Sequence, residues 1–230
     1  MKKMLIINKK PEIINHVDRL KKTWSNYGKT EPYWSVVTDD AYTTSNMKLK
    51  SENKNTFYKS GEKQATWIMK EIKNVLPEFT PNRILDYGCG VGRITKYFPN
   101  ADGCDISKPH LEIATKENKN KFILIEPGEC PKYYDLIYSL IVLQHNHPDL
   151  MKQCIYSILD ALTINGIAFL HIPYFMPMVI NVTGFMEMHS LSKIIINDII
   201  SFQRCKLLKV VNTKMCGNKI LDAIFIIQKI

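Results

Sequence analysis

The run Arg83-Ile84-Leu85-Asp86-Tyr87-Gly88-Cys89-Gly90-Val91-Gly92 constrains this chain more than any other part of it. Apolar residues lead into an acid, and glycines then alternate at 88, 90 and 92. A short apolar run that breaks into a glycine-rich turn reads as a buried parallel strand with a ligand at its carboxyl end. Missing Cβ atoms let ligand atoms lie against the backbone. A helix predicted from about Arg93 would offer unpaired N–H groups to a ligand carboxylate. A dinucleotide fingerprint would need its third glycine at position 93, where Arg93 stands instead.

Ala101-Asp102-Gly103-Cys104-Asp105-Ile106-Ser107 reads as a second strand ending at Asp105. An acid about 20 residues beyond a glycine turn is placed to accept both hydroxyls of a ribose. Ile106 is then positioned to cover one adenine face. Ser107 is the expected N-cap of the following helix, with Pro109 in its first turn.

Further strands are predicted over 121–126, 135–140, 167–172, 206–212 and 221–229. Helices are predicted from Pro148, whose apolar stripe runs from Leu150 to Leu162, and over 191–202. Alternating strands and helices followed by a terminal strand pair make an α/β, doubly wound, mostly parallel sheet. Ahead of it, residues 1–60 are Lys- and Asn-rich and punctuated by aromatics. A helix is predicted over 12–24, then an aromatic loop containing Tyr27, Tyr33 and Trp34. Aromatics in such numbers pack against something. The segment is expected to act as a lid on a main domain at 61–230, whose first helix carries Ala65, Ile68, Met69, Ile72 and Val75 on one face.

The 230 residues suffice for one sizeable α/β domain. The richest apolar run, 164–185, is interrupted by Asn165, His171, Pro173, Pro177 and Asn181. The basic start, Met1–Ile7, is too short in apolar residues for a signal peptide, so a cytoplasmic protein is expected. The six cysteines show no metal spacing and read as free thiols. His145 and His147 lack a third ligand at sensible spacing, and no metal is expected. The net charge of +9 is spread over many lysines, with no arginine-rich run or RNA-binding module, and reads as a solvated surface.

The turn at 88–92, with Asp86 before it and Asp105 beyond, resembles motif I and its acidic partner in the class I S-adenosylmethionine (SAM)-dependent methyltransferases. The resemblance covers roughly residues 57–230. It implies a seven-stranded Rossmann-like sheet with its last strand antiparallel and SAM across the carboxyl ends of the first strands. S-adenosylhomocysteine would be the product. A narrower bacterial group is similar in Glu31-Pro32-Tyr33-Trp34-Ser35-Val36, Phe57–Glu62, Leu143–Pro148 and Glu187-Met188-His189. On this resemblance Tyr58, Ser60, Gly61, Asp86, Gly88, Cys89, Gly90, Gly92, Arg93, Asp105, Ile106 and Ser139 are the expected cofactor residues. The adenine contact lies around Glu126-Pro127-Gly128-Glu129, with the carboxylate or the backbone as partner.

Methyl transfer from a sulfonium needs alignment above all. A hydroxyl nucleophile also gains from a base, for which histidine suits neutral pH. His145, after the fourth strand, and His189, in a predicted loop, are the candidates; His145 should titrate near ~6.5 if unperturbed. Tyr33, Trp34, Gln144, Asn146, His171 and Tyr174 are expected to line the substrate pocket. The acceptor is expected to be a small molecule or glycan, without nucleic acid or membrane as partner. An RNA methyltransferase and a non-catalytic SAM-fold module stand as alternatives. The sequence leaves the oligomeric state open.

Overall fold

The computed structural model describes residues 11–49, 51–177, 180–182 and 186–230. The Met1–Ile7 stretch lies outside them. Seven strands form one sheet in the order β3 (Lys121–Leu124), β2 (Ala101–Asp105), β1 (Ile84–Tyr87), β4 (Tyr134–Ser139), β5 (Leu162–Phe175), β9 (Leu221–Lys229) and β8 (Cys205–Thr213), and β6 (Ile180–Val182) and β7 (Met186–Met188) form a separate two-stranded sheet. The chain divides into two compact units, Lys21–Ile125 and Met1–Leu20 with Glu126–Ile230.

In the first unit, β1 (Ile84–Tyr87), β2 (Ala101–Asp105) and β3 (Lys121–Leu124) run parallel. All four residues of β1 are buried, as its apolar run requires. Helices α2 (Thr44–Leu49), α3 (Ser51–Lys73) and α4 (Lys108–Glu117) complete the unit, together with the end of α1 (Pro11–Thr30). Helix α3 buries Ala65, Ile68 and Ile72, three of the residues expected on its apolar face.

The second unit carries β4 (Tyr134–Ser139), α5 (Pro148–Ala161), β5 (Leu162–Phe175), β6 (Ile180–Val182), β7 (Met186–Met188), α6 (Lys193–Phe202), β8 (Cys205–Thr213) and β9 (Leu221–Lys229). Strand β5 is parallel to β4, and β9 lies antiparallel between β5 and β8. Residues 148–161 bury nearly every apolar side chain of the α5 stripe. Among the described residues no helix is long and apolar enough to cross a membrane.

Four expectations need correction. Helix α1 runs through Thr30, so half of the expected aromatic loop is helical. Gly28 is required there, because a Cβ would lie 2.8 Å from His110 Nδ1 and 2.9 Å from Pro109 Cβ. Phe57–Glu62 lies inside α3 rather than before it. No α-helix follows the glycine turn. Gly90 and Gly92 hold φ at +53° and +73°, and only a single 3-10 turn, Thr95–Tyr97, forms before β2. One such turn has no appreciable dipole, so that argument for holding a carboxylate falls away. The strand expected at 167–172 begins at Leu162, because a bulge at Asn165-Gly166 (φ +63° at Asn165) lets α5 pass directly into β5.

Candidate active site

In the 21–125 unit the turn after β1 is built from its own backbone. Gly88 and Cys89 both donate N–H to the Cys104 carbonyl on β2, at 2.8 and 3.0 Å. The Gly90 N–H donates to Asp105 Oδ2 at 2.9 Å, and Ser107 N–H donates to Asp105 Oδ1 at 2.8 Å. Each carboxylate oxygen therefore accepts one backbone bond and keeps a lone pair, which suits a ribose diol. Ile106 is half-buried beside it. Asp86 is buried and accepts from Thr95 Oγ1 at 2.6 Å, bracing the turn from below. Cys89 is buried, and burial with Asp105 and Asp86 nearby pushes its thiol well up, leaving it a neutral packing group.

Several expected cofactor residues are occupied in packing. A Cβ on Gly61 would stand 2.1 Å from the Arg93 carbonyl oxygen, so this glycine lets α3 meet the turn. The Arg93 guanidinium donates to Ser60 Oγ at 2.9 Å and Gln64 Oε1 at 2.5 Å, and lies 5.7 Å from the Phe57 ring centre. Gly92 has Asn118 and Phe122 where a side chain would go. Gly61, Ser60, Gly92 and Arg93 thus shape the turn. Tyr58 is buried with Lys96 Nζ 4.7 Å from its ring centre, and burial, with Tyr33 nearby, raises its phenol far above the ordinary value.

The aromatic segment packs on that turn. Tyr42, Phe57, Tyr58 and Val91 form one cluster, with Tyr33, Val36 and Val37 against it. Val36 Cγ2 lies 2.7 Å from where a Gly90 Cβ would be. Trp34 stacks obliquely on Tyr27 at 5.9 Å. Beneath, Ser107 is the N-cap residue of α4 as expected, but its hydroxyl makes no capping bond and donates instead to the Trp24 carbonyl at 3.0 Å. His110 bridges two serines, with Nδ1 2.7 Å from that hydroxyl and Nε2 2.9 Å from Ser35 Oγ, whose own proton goes to the Pro32 carbonyl at 3.2 Å. Burial keeps His110 neutral by lowering its pKa.

In the other unit, the segment after β4 carries Ile141 at φ +58°, an outlier for a β-branched residue. A 3-10 turn, Leu143–His145, follows. Asn146 donates to the Val142 and Leu143 carbonyls at 3.2 and 3.3 Å, so its amide holds this turn. His145 Nδ1 lies 3.1 Å from the Glu187 carbonyl oxygen, which only accepts. Nδ1 therefore carries the proton and Nε2 the lone pair, towards which the Gln144 amide nitrogen donates at 3.3 Å. The Gln144 carbonyl accepts from His189 N–H at 2.7 Å. Burial lowers the His145 pKa to about 4, so the expected titration near 6.5 does not hold.

Around the Glu187 side chain stand three basic groups. Arg19 Nη2 is 3.2 Å from Oε1, while His16 Nδ1 and His189 Nε2 are each 3.4 Å from Oε2. Burial works against the Glu187 anion, but Arg19, His16 and His189 outweigh it and hold the carboxyl below its ordinary value. His147 N–H donates to His16 Nε2 at 3.0 Å, and the His147 ring accepts from Asp149 N–H at 3.3 Å, making His147 the N-cap of α5. Sequence spacing missed His16 and Glu187 as members of this cluster, because they lie 171 positions apart by their numbering and on separate elements.

His171 and Tyr174 are engaged elsewhere. His171 is fully buried, with Nε2 3.3 Å from Asp222 Oδ1, so it cannot line an open pocket as expected. Asp222 also accepts from Thr213 Oγ1 and from the Met215 and Cys216 N–H groups, and these partners bring its pKa to about 2 against the cost of burial. Tyr174 donates to Asn212 Oδ1 at 3.2 Å, beneath Lys193 Nζ at 3.9 Å from its ring centre. Ser139 is buried at the end of β4.

A family described as "Methyltransferase domain" matches residues 85–170. No curated protein matches the sequence. Among solved structures, magnesium protoporphyrin IX methyltransferase from Synechocystis PCC 6803 with bound SAM is similar at a TM-score of 0.65 and 14% identity, over 94% of this chain and 97% of that one. Burkholderia thailandensis 1,6-didemethyltoxoflavin-N1-methyltransferase, with its substrate and S-adenosylhomocysteine, is similar at 0.65 and 14%, over 94% and 90%. An amino pentose methyltransferase from Micromonospora echinaspora is similar at 0.60 and 12%, over 74% and 92%. At such identities these likenesses speak for the fold.

Proposed function

We propose that this chain is a class I SAM-dependent methyltransferase and that it methylates a hydroxyl oxygen of a small-molecule or sugar acceptor by in-line displacement. SAM supplies the methyl group on a sulfonium, already activated. Asp105 takes the ribose diol with its two remaining lone pairs, Ile106 lies on the adenine, and the backbone at 88–90 admits the cofactor closely. The 33–37 segment excludes water above the turn.

The observation that carries the acceptor type is the set of neutral histidines after β4 and β7. His145 and His189 are both held below the ordinary histidine pKa, chiefly by burial, so they stand unprotonated at neutral pH. A hydroxyl nucleophile must lose a proton as its oxygen takes the methyl group, whereas an amine already free of its proton needs no base for the attack. Unprotonated imidazoles suit the first need. Alignment supplies roughly 7–11 kcal/mol of the barrier reduction, and a base adds about 10²–10⁴-fold. Analogy with neighbours that act on an amino pentose and on 1,6-didemethyltoxoflavin supports the acceptor class.

The test is transfer from ¹³C-methyl-labelled SAM into separated cellular fractions. Label appearing in low-molecular-weight or glycan material as a methoxy carbon supports the reading. Label in RNA, or only as N-methyl, overturns it. The same follows if no fraction is labelled while S-adenosylhomocysteine binds normally.

A further inference from the structure

Strand register brings His171 and Asp222 to one face of the sheet. His171 on β5 pairs with Ile224 on β9, and Asp222 stands two residues before Ile224, so the two point the same way. Diagonal neighbours of this kind are within reach of a long side chain. His171 Nε2 lies 3.3 Å from Asp222 Oδ1, and both side chains are fully buried. Past the end of β8 the chain turns back through an exposed stretch, 217–219, in which Gly217 holds φ at +99°. That turn sets the half-buried Cys216 beside the same carboxylate. All three residues belong to the unit that contains 126–230.

The approach of His171 to Asp222 lacks the direction of a hydrogen bond. Neither ring nitrogen of His171 has a hydrogen-bond partner among the described residues. A fully buried imidazole with both nitrogens orphaned is rare and points to a ligand. Asp222, by contrast, is braced. Its Oδ1 accepts the Thr213 hydroxyl and the Met215 N–H at 3.3 Å, and its Oδ2 accepts the Cys216 N–H at 2.8 Å. Such bonds fix a carboxylate as the outer contacts of a metal-binding carboxylate do.

His171, Cys216 and Asp222 each offer one ligand atom, all within 4.8 Å of one another. A nitrogen and an oxygen bound to one tetrahedral zinc ion, at about 2.0–2.2 Å, stand roughly 3.3–3.5 Å apart. The 3.3 Å between His171 Nε2 and Asp222 Oδ1 matches that edge. Thiolate, carboxylate and neutral imidazole together cancel the charge of a dication, as a buried site requires. A cation on one ring nitrogen also leaves His171 with one orphan instead of two. Partial exposure at Cys216 supplies an entry path. The other group with three ligand atoms in reach is His16, Glu187 and His189. Its carboxylate already holds the Arg19 guanidinium at 3.2 Å, which repels a second cation. Among the described residues no lysine or arginine pairs with Asp222.

We propose that His171, Cys216 and Asp222 bind a zinc ion that staples the β8–β9 connection to β5. On binding, Cys216 Sγ releases its proton to solvent. The thiolate, the carboxylate and the imidazole lone pair take three of the four positions, and water takes the fourth. No oxidation state changes. The ligands sit on separate elements, where no local spacing announces them. The site does not depend on which acceptor is methylated.

The test uses the full chain, reduced and stripped with a chelator, to which cobalt(II) or zinc alone is added. Cobalt should bind one per chain and develop a thiolate-to-cobalt charge-transfer band with the intense visible bands of a tetrahedral site. Zinc should then displace it and abolish both. Cys216→Ser should remove the charge-transfer band and weaken zinc binding about tenfold or more, with unchanged far-ultraviolet circular dichroism. His171→Gln should weaken zinc binding to a similar degree. Should a variant fold poorly, the wild type decides, because zinc should protect Cys216 from alkylation, read by peptide mass spectrometry. Cobalt bound without a thiolate band, or a band that persists in Cys216→Ser, overturns the proposal. So does Cys216 alkylated equally fast with and without zinc, or a folded wild-type chain that takes up no stoichiometric zinc.

Discussion

Replacing His145 by Gln removes a buried titrating group, and the structure sets the size of the effect on acid stability. His145 is 9% exposed, and burial brings its pKa from 6.5 to about 4. Between these values the unfolded chain binds a proton that the folded chain does not. Stability therefore falls as pH drops through this window. With pKa values of 6.5 unfolded and about 4 folded, the loss between pH 7 and pH 4.5 is about 2 kcal/mol. At roughly 2.1 cal/mol/K per residue, that is a Tm decrease of about 4 °C for a chain of this length. Urea unfolding followed by tryptophan fluorescence at the two pH values, for wild type and His145→Gln, gives the comparison. His16, His110 and His189 are depressed in the same direction and remain in both proteins, so the difference isolates position 145. The variant should be less stable at pH 7 but lose about 2 kcal/mol less on acidification. Parallel pH curves for the two proteins would refute the assignment of His145 as a buried, neutral histidine.

Gly61→Ala should destabilise the protein by about 1–3 kcal/mol or more, because its Cβ would meet backbone at 2.1 Å; an unchanged denaturation midpoint would contradict the packing. Asp105→Ala should weaken S-adenosylhomocysteine binding by about 1.5–3 kcal/mol, read by calorimetry, whereas unchanged affinity with a lowered Tm would make Asp105 a structural brace. The exposed Thr38-Asp39-Asp40 tip should be cut by a protease more slowly once S-adenosylhomocysteine is bound, and equal rates would argue against closure of the aromatic segment.

What could be read from the sequence was whatever is encoded over short distances. The β1 run, its glycine turn and the acid at 105 announce themselves through spacing, and β1 and β2 form as read. The α5 stripe is periodic enough to predict its buried face. Other features depend on partners far along the chain. Gly61 resembles a ligand-contacting glycine within its motif, but its need arises from Arg93 lying across α3. The absent helix after the turn follows from three glycines with positive φ and the early start of β2, which override local propensity. Strands β6 and β7 span too few residues to show alternation, so the pairing of Met186–Met188 with Ile180–Val182 is not legible, whereas His189 lies just beyond β7, outside any strand, as read. The contact of Glu187 with His145 is invisible locally, since it is made by the Glu187 backbone carbonyl.

The tie between Trp24, Ser35, Ser107 and His110 bears on how the chain comes to be folded at all. Ser107 lies 83 positions from Trp24, and His110 lies 75 from Ser35. At synthesis rates of about 5–20 residues per second, the aromatic end of α1 leaves the ribosome roughly 4–16 s before its partners exist. During that interval Trp24, Tyr27 and Trp34 have nothing downstream to cover them. Closing loops of this length costs entropy that local helix formation cannot return, so docking of this segment belongs late in folding. The nascent chain therefore passes through a stage with an exposed aromatic face, and its yield in a cell should respond to chaperone supply more than to substitutions on the sheet's exposed surface.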